Sequence, residues 1–186
     1  KIVCAGVSYV SKNMIFEKEY TVICEELAEK GKTPIIIVQE ERILGVIAVA
    51  DKIKSDSILA VQSMKEMGCK VVMLTGDNEK TAKAVAEKVG IDEIIANVLP
   101  ADKEKSIKKC AESGKVVMVG DGINDAPALT SADIGIAMSG GTDIAIESAD
   151  ITLMYDDLCL IPSAIRLSKK TIKKIKQNLF WAFIYN

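Results

Sequence analysis

Val116-Val117-Met118-Val119-Gly120-Asp121-Gly122-Ile123-Asn124-Asp125-Ala126-Pro127-Ala128-Leu129 decides how the rest of the chain is read. A short, continuously apolar, β-branched run bounded by glycines is a strand buried on both faces. Gly120-Asp121-Gly122 stops it, and Pro127 suits the first turn of a short helix. Working outward, the same strand–turn–helix unit recurs. Val71–Leu74 leads into Thr75-Gly76-Asp77-Asn78 and a helix from about Glu79 to Val89, closed by Gly90. Ile94–Ala96 leads into Leu99-Pro100-Ala101-Asp102 and a lysine-rich helix to Ser113. On the other side come Ile134–Ala137, a helix around Ile144 to Ser148, and Ile151–Leu153. This alternation predicts an α/β fold, a parallel sheet with helices on both faces. Upstream, residues 19–30 read as a helix ended by Gly31, and Ile35–Val38 and Ile43–Ala50 as a hairpin. Ser57–Met67 has the helical spacing of Ile58, Val61 and Met64, and Gly68 stops it. After Asp157 the pattern is helical to the end.

Composition narrows the chemistry. The 186 residues are 49% hydrophobic and 27% charged, enough apolar material for a core, which excludes collagen-like and disordered classes. Twenty-four basic against 26 acidic residues give a net charge of −2, so no global basic field draws the chain to nucleic acid. Histidine is absent, which excludes a Ser-His-Asp triad, His-based acid–base catalysis and imidazole-dependent zinc sites. Cys4, Cys24, Cys69, Cys110 and Cys159 are odd in number and form no CxxC, as reduced thiols in a cytosolic environment do. Lys1 at the start, and an apolar aromatic run (Phe180, Trp181, Phe183, Tyr185) at the other end, predict a piece of a longer chain. A membrane-spanning helix needs ~20 apolar residues, and here one has only begun. Lys169, Lys170, Lys173, Lys174 and Lys176 directly before it read as the cytoplasmic flank of a membrane segment, with Trp181 at headgroup level.

In open α/β sheets, reactive groups gather where strands end. A threonine hydroxyl and a glycine amide at Thr75-Gly76 can hydrogen-bond a phosphoryl oxygen; equally, Asp77 or Asn78 can simply cap the next helix. Asp121 and Asp125, four residues apart on a glycine-bent turn, can aim hard oxygens at one Mg²⁺, with Asn124 holding a neighbouring loop. The plain alternative is an ordinary Gly-Asp turn, which a fully apolar preceding strand and two acids make the weaker reading. Lys103 at a helix start wants an anion to compensate it, and a phosphate would serve. By spacing alone it is one surface lysine among Lys105, Lys108 and Lys109. Together these groups provide the positioning and charge neutralisation that phosphoryl transfer requires. A Walker A loop is missing.

With these residues in view the chain resembles the P-type ATPases, whose phosphorylation domain has a haloacid-dehalogenase-like fold. The resemblance rests on Thr75-Gly76-Asp77-Asn78, on Leu99-Pro100-Ala101-Asp102-Lys103, and on Met118 to Leu129. Ala132-Asp133-Ile134-Gly135-Ile136-Ala137 and Gly141-Thr142-Asp143-Ile144-Ala145 continue it. It implies Asp121 as the Mg²⁺ ligand, Asp125 supporting that metal and its loop, and Asn124 in the catalytic turn. It implies Thr75 and Lys103 at the transferred phosphoryl group, with Gly76 and Asp77 beside them. ATP is then the substrate and Mg²⁺ the cofactor. Asp51-Lys52-Ile53-Lys54 resembles the hinge where a nucleotide-binding insert returns. Asn178 to Asn186 looks like the penultimate-but-one membrane helix of the heavy-metal subgroup, whose Tyr-Asn pair, here Tyr185 and Asn186, helps hold copper(I). The plain alternative is an interfacial tyrosine and a packing amide.

The resemblance implies residues 1–43 as a remnant of the nucleotide-binding domain, 44–165 as an incomplete phosphorylation domain, and 166–186 as a cytoplasmic linker and the start of a transmembrane helix. Implied partners are the membrane, the rest of the same pump polypeptide, ATP and a copper chaperone. Such a protein is integral to the membrane, with this segment on the cytoplasmic side. The family's phosphorylated Asp-Lys-Thr-Gly-Thr is missing. Asp51-Lys52 begins like it, but Ile53-Lys54 follows, so Asp51 is not read as the nucleophile. The nucleophile strand, which in the family lies between the strands ending at Thr75 and Asp121, is therefore absent. The chain must either close that gap with another segment or fold poorly, because buried backbone groups would lack partners. Competing readings are a soluble haloacid-dehalogenase-like phosphatase, against which the lysine flank and aromatic end argue, and a non-catalytic Mg²⁺- or nucleotide-binding fragment.

Overall fold

In the computed structural model, which describes residues 2–13, 18–40, 42–50, 52–140 and 142–185, the expected hairpin is formed by β2 (Thr33–Gln39) and β3 (Arg42–Val49). They are antiparallel, with Ile36 opposite Val46. A further strand, β1 (Ile2–Gly6), pairs antiparallel along the other edge of β2, in the order β1-β2-β3. Pro34, Ile36 and Val38 alternate inward from β2 and are buried. The helices α1 (Val7–Asn13) and α2 (Lys18–Glu29) cover that face, where Val10 and Cys24 join Ile36 and Val38 in one apolar cluster. Burying a side chain of this size contributes about 1.5–3 kcal/mol, which ties the two helices to the sheet.

The remainder alternates as the pattern predicts. In order come α3 (Ser57–Glu66), β4 (Val72–Leu74), α4 (Glu79–Val89), β5 (Glu93–Ile95), α5 (Lys103–Ala111), β6 (Val117–Gly120), α6 (Ala126–Ser131), β7 (Ile134–Ala137), α7 (Asp143–Glu147), β8 (Ile151–Thr152) and α8 (Leu160–Ile184). Two 3₁₀ turns, Pro100–Asp102 and Ile123–Asp125, precede α5 and α6. All strand pairings here are parallel. They form two pieces, β4-β5 and β6-β7-β8, instead of one continuous sheet. Among the described residues no strand pairs with both β4 and β6, so the gap is not closed by another segment. The pieces meet through side chains: Leu74 and Val116 pack on the cluster of Ile107, Met118, Ala128, Leu129 and Ala145.

The N-terminal sheet joins the α/β part along α4. Lys80 pairs with Glu25 at 3.2 Å, and the Thr81 hydroxyl donates to the Lys32 carbonyl at 3.2 Å. At the far end, Ile161 and Ile165 of α8 pack with Met64 of α3, Ile136, Met138 and Leu153. From residue 166 onward α8 is exposed through residue 185. The long C-terminal helix is thus present. Among the described residues no helix is long and apolar enough to cross a membrane. Asp51, Gly141 and Asn186, each singled out in the sequence, lie outside the described residues.

Candidate functional site

The turn after β6 folds back on itself. The Asp125 amide donates to the Gly122 carbonyl at 3.0 Å, and the Gly122 amide reaches Asp125 Oδ2 at 3.4 Å. This return places the Asp125 side chain against Gly120, where an added Cβ would sit 2.7 Å from the Asp125 Cβ. Glycine is required there by the close approach. Asp125 is buried, and Lys103 Nζ, from the first residue of α5, donates to its Oδ1 at 2.6 Å. The two side chains are only 17% and 13% exposed. Neither charge could sit in so dry a place alone, so each accounts for the other's burial. The anion that compensates Lys103 at its helix start is therefore a carboxylate of the chain itself, and the solvated-lysine reading from spacing does not hold.

Asp121, at the strand end proper, is exposed. Its backbone carbonyl accepts from the Thr142 amide at 3.0 Å, which joins the turn to the start of α7. Among the described residues its carboxylate makes no hydrogen bond or ion pair, nor does the exposed Asn124 amide.

At the end of β4, Thr75 is fixed by its neighbours: its amide donates to the Ile95 carbonyl at 3.0 Å, and its own carbonyl accepts from the Val98 amide at 3.1 Å. The Thr75 hydroxyl donates to Asp77 Oδ2 at 3.0 Å and accepts from the Asp77 amide at 3.1 Å. Asp77 Oδ1 accepts from the Thr33 hydroxyl of β2 at 3.1 Å. Asn78 caps α4, accepting from the Thr81 amide at 2.9 Å. The cap thus belongs to Asn78, and Asp77 is left to hold Thr75. Gly76 lies against the loop after β5: a Cβ there would be 3.3 Å from the Val98 carbonyl oxygen.

The structure therefore brings Lys103 to Asp125 and Thr75 to Asp77. Among the described residues no hydrogen bond joins the two pairs. Both stand at the carboxyl ends of parallel strands, over the shared cluster of Leu74 and Met118. Sequence reasoning missed Thr33 as a partner of Asp77; 44 residues separate them, and no local pattern links a strand-start threonine to a distant turn. Tyr185 is almost fully exposed near the end of the chain, distant in sequence from both pairs.

Strand ends carrying a buried Lys–Asp pair, a free aspartate and a threonine define a class, and comparison with known proteins identifies it. A family model described as "Hydrolase: haloacid dehalogenase-like hydrolase" matches residues 5–133, and the chain belongs to that family. Within it the chain is a homologue of copper-transporting P-type ATPases over most of its length. It is 52% identical over 177 residues to a probable copper-importing P-type ATPase A of Enterococcus hirae, covering 94% of this chain and 24% of that protein. It is 54% identical over 163 residues to a copper-exporting P-type ATPase of Staphylococcus haemolyticus, covering 87% and 20% respectively. The crystal structure of a zinc-transporting PIB-type ATPase in the E2.Pi state matches with a TM-score of 0.73 and 37% identity, over 95% of this chain and 28% of that one. The chain spans between a fifth and a quarter of the length of these curated relatives.

Proposed function

We propose that the chain is the C-terminal part of the cytoplasmic machinery of an ATP-driven metal-ion pump that exports copper(I). In it, residues 1–43 end a nucleotide-binding domain, 44–165 form most of a phosphorylation domain, and 166–186 lead into the membrane. The observation that carries this reading is the Lys103–Asp125 pair at the end of β6, beside Asp121, whose carboxylate has no partner among the described residues. Asp121 fits Mg²⁺: an exposed, unpartnered carboxylate suits an ion that keeps most of its waters and binds through one or two carboxylates plus phosphate oxygens. When bound, Mg²⁺ neutralises phosphoryl oxygens.

The chain's own residues do the rest. Asp125, already neutralised, stiffens the turn and holds the Lys103 ammonium at the strand end, where a phosphoryl oxygen would meet it. Thr75 offers its hydroxyl from a backbone fixed by Ile95 and Val98, with Asp77 orienting it and Gly76 letting the loop close. Asn124 presents its exposed side-chain amide from the same turn, open to a neighbouring loop. Preorganised donors of this kind act without reorganising as charge develops. β4 and β6 are each paired on one side only among the described residues, which supports a further strand that would bring the phosphorylated aspartate between them, and without that aspartate the isolated chain is inactive towards ATP.

Copper as the cargo is supported by the names of the relatives, one an exporter and one an importer. Tyr185 is assigned to the transported ion together with Asn186, and a copper chaperone is the assigned donor. The pump is integral to the membrane, with this segment on the cytoplasmic side. Labelled ATP with Mg²⁺ tests the reading. The full-length parent should form an acid-stable phosphoenzyme that Asp121→Asn abolishes, and the 186-residue chain should form none. Hydrolysis of small phosphomonoesters by the chain itself would instead favour a soluble phosphatase. Copper(I) uptake into inside-out vesicles checks the direction.

A further inference from the structure

Beyond the α/β body, α8 carries two adjoining stripes. Ile161, Ile165, Ile172, Ile175 and Leu179 recur at helical spacing on one face. The first two are packed on the body, whereas Ile172, Ile175 and Leu179 are exposed. Beside them Lys169, Lys173, Lys176 and Phe180 follow at intervals of four, three and four, and with Ile172 and Trp181 they line a shallow groove along the helix. The Phe180 and Trp181 rings meet edge to face, with centroids 5.6 Å apart. Lys169 Nζ also donates to the Met67 carbonyl at the end of α3, at 3.3 Å, which fixes where the helix leaves the body.

The charge on this helix selects what covers the stripe. Leu160–Ile184 contains Arg166, Lys169, Lys170, Lys173, Lys174 and Lys176, and neither Asp nor Glu. A second copy of the helix would bring like charges against like. A bilayer with anionic headgroups offers the opposite sign at the surface and an apolar layer directly beneath it. We propose that the Lys169–Lys173–Lys176 face of α8 binds the phosphate headgroups of anionic phospholipids, with Ile172, Ile175, Leu179 and the two aromatic rings entering the acyl boundary. This rests on the reading that residues 166–186 lead into the membrane, and adds to it the lipid class and the face of the helix that selects it. Each lysine near an anionic surface strengthens partitioning about fivefold. The aromatic rings at the end of the stripe fix the depth.

Trp181 is the single tryptophan, so intrinsic emission reports on this helix. The 186-residue chain is titrated with phosphatidylcholine vesicles and with vesicles that also contain phosphatidylglycerol. Emission should shift to the blue, and partitioning should be at least about tenfold stronger into the anionic vesicles, weakening as salt is raised. The variants K173Q/K176Q and K170Q/K174Q remove equal charge from exposed positions, and unchanged helical circular dichroism checks their folding. The first should lose most of the preference for anionic lipid, and the second clearly less. Equal losses would overturn the face assignment. Equal partitioning into both vesicle types would overturn the lipid selectivity and leave the membrane reading standing. No shift with either vesicle would remove both. Tighter binding to duplex DNA than to anionic vesicles at equal phosphate would also overturn it.

Discussion

Gly120 and Gly122 both flank Asp121, yet the structure asks different things of them. A Cβ at 120 would meet the Asp125 side chain at 2.7 Å, while one at 122 finds its nearest atom, Asp125 Oδ2, at 3.7 Å. Overpacking of the first kind costs about 1–3 kcal/mol. Gly120→Ala should therefore lower the urea-unfolding free energy by about that amount, and Gly122→Ala by well under half of it. The Lys103–Asp125 pair makes a second contrast. Lys103→Met strands a buried carboxylate, at a cost of about 3 kcal/mol. Adding Asp125→Asn to that variant removes the stranded charge, so the double variant should melt higher than Lys103→Met alone. A double variant no better than the single one would show that the carboxylate reaches water after all. The Gly-Asp-Gly turn was legible because its signal is contiguous in sequence. The partner of Lys103, 22 positions away, was not, and a lysine among lysines carries no mark of burial.

Asp56 acts at the scale of elements. It occupies the N-cap position of α3, yet its side chain makes no cap there. Instead its carboxylate accepts from the Leu158 amide just before α8, and Lys54 pairs with Asp156 alongside. One carboxylate thus ties the start of the first helix of the α/β part to the entry of the last, across 102 residues. The Leu158 N–H holds the Asp56 carboxyl below the usual carboxylate range. A carboxyl lowered in the folded state contributes stability that is present above its unfolded value, about 3.9. That contribution is lost as the pH falls through the folded value. Asp56→Asn should remove it, so the unfolding midpoint, followed by denaturant between neutral pH and pH 3, should fall less steeply in the variant below about pH 4. Parallel curves would place the acid sensitivity elsewhere, Asp133 being the next candidate because the Lys115 ammonium and the Val116 amide hold its carboxyl low. Elements with strong periodicity, α4 and the β2–β3 hairpin, could be read directly. β1 could not: its residues are largely exposed, so Ile2-Val3-Cys4-Ala5-Gly6 shows little inward–outward contrast, and pairing with β2 alone makes it a strand.

At the scale of the whole molecule the divided sheet is the dominant feature. Alternating strands and helices announced a parallel sheet, but nothing in their local pattern states which strands are neighbours; only the family resemblance pointed to a gap between those ending at Thr75 and Asp121. Strand pairing transmits cooperativity through a ladder of hydrogen bonds, whereas the two pieces here are joined by side chains around Leu74, Val116 and Met118. Side-chain contacts alone, beside strand edges with no ladder partner among the described residues, leave subglobal openings accessible below the global unfolding free energy. Native-state hydrogen exchange should accordingly separate β4, α4 and β5 from β6, α6 and β7, the first group opening at lower denaturant because its sheet has two strands against three. If the proposed pump supplies a strand between β4 and β6, that longer chain should show the two openings merged into one. If the isolated chain already shows a single coincident opening for both groups, the shared apolar cluster couples them as tightly as a strand would, and the missing strand then matters for chemistry and not for cohesion.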